Sequence, residues 1–71
     1  MKNKADDDGA ISGLATKEIR LALGLSQEAW AKRLGVKRVA TISRWENGHR
    51  APNEHFHRRI RNAAAEVGVE L

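Results

Sequence analysis

Apolar residues recur along this chain at helical spacing in four separated runs, and nowhere alternate with the period of two that a strand requires. The last run is the clearest. Phe56, Ile60, Ala63, Ala64 and Val67 fall on one stripe, with Asn53 ahead of them as a cap and Gly68 behind them as a stop. The first run predicts a helix from about Gly13 to Leu23, capped by Ser12 and ended by Gly24, with Leu14, Ala15, Ile19, Ala22 and Leu23 on one face. The second follows almost at once, over Gln27 to Leu34. Ser26 supplies an oxygen for an orphan amide at its start, and Gly35 supplies the left-handed residue that closes its end. Trp30, Ala31 and Leu34 then face inward, while Gln27, Glu28, Lys32 and Arg33 face out. The third runs from Arg38 or Val39 to Asn47 and buries Val39, Ile42 and Trp45, leaving Lys37, Arg38, Thr41 and Arg44 outside. Gly48 ends it, and Pro52, which has no amide hydrogen, prevents immediate resumption.

The pattern therefore specifies an all-α fold, a small bundle of about four short helices whose centre is a helix, a tight turn and a helix. The expected core is Ile19, Leu23, Trp30, Leu34, Ile42, Trp45, Phe56 and Ile60. Base stacking is the other use for Trp30 and Trp45, but both stand at apolar helical positions, and a small core needs their bulk.

At 71 residues the chain is one domain with a modest core. Residues 1–11 read as a disordered polar tail carrying Asp6, Asp7 and Asp8, and residues 12–71 as the folded unit. With no cysteine and no apolar run near the roughly 20 residues of a membrane span, the expectation is a soluble cytoplasmic, nucleoid-associated protein without disulfides. His49, His55 and His57 lack ligand spacing, so no metal is expected. No nucleophile has a neighbouring base and no loop cradles phosphate, so neither enzyme activity nor a cofactor is expected.

Charge alters the picture more. From Lys32 to Arg61 nine Lys or Arg stand against two acids, Glu46 and Glu54, a balance of +7 that leaves −3 for the rest of a +4 chain. Such a stripe attracts polyanions by phosphate neutralisation and counterion release, although an ordinary solvated helix face is also basic at times.

Gly24, Leu25, Ser26, Gln27, Ala31, Leu34, Gly35, Val36, Ile42, Ser43, Trp45, Glu46, Asn47, Gly48 and Pro52 occur in an order and spacing that resembles the lambda-repressor-like, XRE-type helix-turn-helix regulators, over about residues 19–68. The resemblance implies a DNA-binding domain, a prokaryotic or phage transcription regulator, that lays its third helix in the major groove of double-stranded DNA. It implies backbone phosphate contacts by Gln27, Ser26, Asn47, His49 and Arg50. Base reading would fall to Arg44, whose guanidinium can bond O6 and N7 of guanine, and to Arg38, Lys37, Thr41 and Ser43. The resemblance leaves open a repressor, with or without a homodimer formed on DNA, and an antitoxin that neutralises a partner protein such as a toxin. Glu46, an acid in a basic surface, is expected to orient Arg38, Arg50 or a cation of the first helix.

One departure stands out. Five residues, Lys37, Arg38, Val39, Ala40 and Thr41, separate Val36 from Ile42 where the family pattern has four. One extra residue rotates a helix start by about 100°. The expected remedy is a longer turn from which Lys37 and Arg38 reach the nucleic acid just before the helix, which has no Ser, Thr, Asp or Asn to cap it.

Overall fold

The computed structural model describes residues 11–71. The tail expected over 1–11, with its aspartate triad, lies outside the described residues except for Ile11. That residue is 2% exposed and belongs to the core, so the folded unit includes it. Among the described residues there are four α-helices and no strand: α1 over Gly13–Ala22, α2 over Gln27–Leu34, α3 over Val39–Glu46 and α4 over His57–Val67. A single 3-10 turn, Glu54–Phe56, leads into α4.

Each boundary has a local cause. Ser12 Oγ accepts the Ala15 amide at 3.0 Å, and Ser26 Oγ accepts the Ala29 amide at 3.0 Å, so α1 and α2 begin on side-chain caps. Asn53 caps the 3-10 turn through the His55 amide. Gly35, at φ 79°, takes the left-handed conformation that ends α2, and the following amide of Val36 returns to the Ala31 carbonyl at 2.8 Å. Arg59 adds to this end by donating to the Leu34 carbonyl at 3.3 Å, a cation where the helix dipole is negative.

Ile19, Trp30, Leu34, Ile42 and Ile60 are fully buried and Trp45 is 2% exposed, with Leu23 and Phe56 half-buried against them. Trp45 and Phe56 meet with ring centroids 5.6 Å apart and tilted planes, tying α3 to the approach of α4. Three residues expected on inward helix faces lie outside. Leu14 is 62% exposed and Val39 is 37% exposed, and Ala22 also faces out. The inner side of α1 is instead formed by Gly13, Thr16 and Ile19, rotated away from the run that contains Leu14. Thr16 can be wholly buried because its hydroxyl donates to the Gly13 carbonyl at 2.6 Å.

Gly13 explains how closely α1 approaches α3. A Cβ at that position would stand 1.7 Å from the Trp45 carbonyl oxygen, a distance no side chain can occupy. The first turn of α1 therefore rests directly on the last turn of α3. Val39 is exposed for a related reason: Ile42, Trp45 and this backbone contact fix α3 from its middle onward, leaving the start of its first turn outside the core.

Candidate nucleic-acid interface

Helix α2 begins at Ser26, and the groups around that start are held in a network. Gln27 Nε2 donates to Glu46 Oε1 at 3.0 Å, and Arg20 grips the same carboxylate with two donors, Nε to Oε2 at 2.7 Å and Nη2 to Oε1 at 3.1 Å. A further donor of Arg20 reaches the Leu25 carbonyl at 2.9 Å. One guanidinium thus joins α1, the turn into α2 and the last residue of α3. The side chains of Arg20 and Glu46 are 12% and 4% exposed, so the pair is largely removed from water. Burial alone would raise the carboxyl of Glu46. The hydrogen bonds from Arg20 and Gln27, with the charges of Arg20 and Lys17, outweigh it and hold the group below its ordinary value.

The cation that Glu46 engages is therefore the one on the first helix, not Arg38 or Arg50. The sequence pattern alone does not single out Arg20 among the cations of the first helix. The signal was present: it follows Thr16 by one helical turn, at the edge of the inner face of α1. Its partner lies 26 residues away, and spacing along one helix cannot show that.

The turn between α2 and α3 runs through Gly35, Val36, Lys37 and Arg38. Val36 is buried, while Lys37, Arg38, Val39 and Ala40 are all exposed. The five residues from Lys37 to Thr41 thus span the end of the turn and the first turn of α3 between two buried anchors, Val36 and Ile42. Arg38 occupies the cap position of α3 without making a side-chain cap, and its carbonyl accepts the Thr41 amide at 3.1 Å.

Arg44 projects from α3 as an exposed residue, and Thr41 and Ser43 are half-buried beside it. Asn47 Nδ2 donates to Ser43 Oγ at 3.3 Å. The amides of His49 and Arg50 both turn back onto the Arg44 carbonyl, at 2.9 and 3.3 Å, which folds the exposed loop after α3 against its end. Thr41 and Arg50 also line a cleft of about 200 Å³ with Trp45, Ala51, Asn53 and Phe56. Among the described residues the ion pairs are Arg20 with Glu46 and Arg33 with Glu66, so Lys37, Arg38, Arg44 and Arg50 pair with no described carboxylate.

Of the expected phosphate contacts, Ser26 is committed to its cap and Gln27 has one amide donor on Glu46. Asn47, His49 and Arg50 lie together after α3. Among the described residues no group of His, Cys, Asp or Glu could hold a metal ion, and no helix is long and apolar enough to cross a membrane.

Residues 17–69 match a family model described as helix-turn-helix. No curated protein and no solved structure matches the chain.

Proposed function

The chain belongs to the helix-turn-helix family of XRE or lambda-repressor type, whose members bind DNA and regulate transcription, and we propose that it is a repressor reading its operator with the exposed face of α3. Arg44 is the principal base reader. Lys37 and Arg38 act from the turn before the helix, and Thr41 and Ser43 are secondary readers. Gln27, Asn47, His49 and Arg50 set register on the phosphates, with Ser26 shaping the backbone amides at the start of α2. The observation that carries this reading is the contrast in charge partners: Arg20 is paired inside the fold, whereas Arg44 is exposed and free of any carboxylate among the described residues. A guanidinium left without an internal partner keeps its donors for a base edge.

The test is selection of a preferred duplex from random sequences, followed by salt-resolved binding of variants to that duplex and to scrambled DNA. Arg44→Ala is expected to reduce the preference for the selected duplex by about 10-fold or more, the weight of one bidentate base contact. Gln27→Ala is expected to weaken both duplexes alike. If Arg44→Ala weakens both duplexes equally, Arg44 is a phosphate contact and the assignment of readers is wrong.

A further inference from the structure

Helix α4 takes no part in the reading proposed above, yet one of its side chains holds the end of α2 from which the reading turn departs. Arg59 Nη1 donates to the Leu34 carbonyl at 3.3 Å. A Cβ at Gly35 would stand 3.2 Å from the same nitrogen and 3.9 Å from Cζ, so the guanidinium lies against both residues that lead into the turn. The Leu34 carbonyl belongs to the last turn of α2, where no intrahelical amide reaches it, and the Gly35 and Val36 amides go to the Lys32 and Ala31 carbonyls, at 3.2 and 2.8 Å. Arg59 thus serves a carbonyl that these two amides leave open. Arg33 and Glu66 also join α2 to α4, but their side chains are 33% and 54% exposed, and an ion pair so open to water holds geometry weakly.

The turn needs such a hold, because its own residues supply little. Glycine passes between positive and negative φ at low cost, so Gly35 does not by itself fix the direction in which the chain leaves α2. Val36 is buried, but Lys37 to Ala40 are exposed and the start of α3 has no side-chain cap. Lys37 and Arg38 follow Gly35 almost at once, so a change of angle at Leu34 and Gly35 is carried directly to the two cations assigned to reading from the turn. The charge of Arg59 acts differently from its hydrogen bond. Removing a positive charge weakens every duplex alike, whereas misplacing a base reader changes the preference among duplexes.

We infer that Arg59 is a positioning residue for DNA reading: its guanidinium, seated on the Leu34 carbonyl, sets the direction in which the turn presents Lys37 and Arg38. The inference rests on the reading that those two residues meet bases from the turn, so its test has one arm without DNA and one with it.

In the free protein, amide relaxation measured by NMR should show lower order parameters for Lys37 to Ala40 in Arg59→Met, with the amides of α1 unchanged. Arg59→Lys, which keeps a charge and a donor, should restore them. On DNA, Arg59→Met is expected to reduce the preference for the selected duplex over scrambled DNA by about 5-fold, and Arg59→Lys to recover most of it. In a background carrying Lys37→Ala with Arg38→Ala, Arg59→Met should cause no further loss of preference. Unchanged order parameters would overturn the inference, as would equal weakening of both duplexes, the mark of a lost charge alone. A loss that persists at full size in the double-alanine background would place the action of Arg59 elsewhere and overturn it too. If the amides loosen but the double-alanine protein keeps its full preference, the turn reads no bases: the assignment of Lys37 and Arg38 fails and the positioning role falls with it, while the tether itself stands.

Discussion

Helix α2 begins at Ser26, whose Oγ holds the Ala29 amide at 3.0 Å, whereas α3 begins at Arg38, whose side chain caps nothing. Around the first start, Arg20, Gln27 and Glu46 form a network that is nearly closed to water. Around the second, four successive residues from Lys37 to Ala40 are exposed. The helix that would sit on the DNA backbone is thus fixed at its entrance, and the helix that would read bases is held from its middle onward, by Ile42, Trp45 and Glu46. Glu46 belongs to both arrangements, because it terminates α3 and organises the entrance of α2. The difference separates placement from reading: one end of the unit carries stability, and the other carries side chains that the fold does not need.

The largest effect should come from removing the shared carboxylate. Glu46→Ala leaves the Arg20 guanidinium largely buried without its partner and is expected to cost about 3 kcal/mol, measured by urea unfolding. For a domain of this size that is much of its stability. A loss no greater than that of an exposed-site substitution would remove the basis for calling the α2 entrance fixed.

Acid should reproduce a milder form of the same change. The folded-state pKa of Glu46 is held below its ordinary value of 4.5, so its contribution is fully present above that value and is lost as pH falls through the folded value. Wild type is expected to lose stability more steeply than Glu46→Gln as pH falls from about 5 to about 3. Parallel curves for the two proteins, followed by circular dichroism, would show that another carboxylate governs the acid limb.

Those two effects rest on the part of the molecule that sequence reveals least. Caps at Ser12, Ser26 and Asn53, and the stops at Gly35 and Gly68, are legible because each acts on backbone within four residues of itself. The α2 core positions Trp30, Ala31 and Leu34 are legible because their spacing leaves one inward face. On α1 two faces compete. Leu14 and Leu21 are more apolar than Thr16, yet Thr16 is inside because its hydroxyl finds a local carbonyl and Gly13 must meet Trp45. The partner of Glu46 was visible only as a choice among cations, since contact across 26 residues depends on how α1 and α3 pack. The basic residues around α3 can be named from charge and resemblance, while their lack of carboxylate partners among the described residues is a property of the fold.

Of the two helix starts, only the first should respond to loss of its side chain. Ser26→Ala is expected to cost about 1 kcal/mol, the usual weight of a serine cap. Arg38→Ala is expected to change stability by no more than about 0.5 kcal/mol, as for a surface position with no special contact. Thermal unfolding of the two variants side by side measures the contrast. Equal losses would mean that Arg38 supports its helix in some way other than capping.

The smallest expected effect is also the one with opposite signs in the two assays. Arg38 has the extended backbone of a cap residue, φ −123° and ψ 131°, so a side chain able to accept an amide proton can be placed there without altering the chain path. Arg38→Asn should let the new side-chain oxygen take an orphan amide in the first turn of α3, raising stability by about 0.5 kcal/mol. The same change removes one positive charge from the exposed turn. If Arg38 contacts phosphate, the slope of log affinity against log salt should fall by about 1 for every duplex; if it contacts a base, preference among duplexes should change with it. A variant that is more stable and binds DNA less tightly would show that α3 lacks a cap because that position is used for the nucleic acid. A variant that gains stability and binds unchanged would assign the missing cap to chance and leave Lys37 as the reader from the turn.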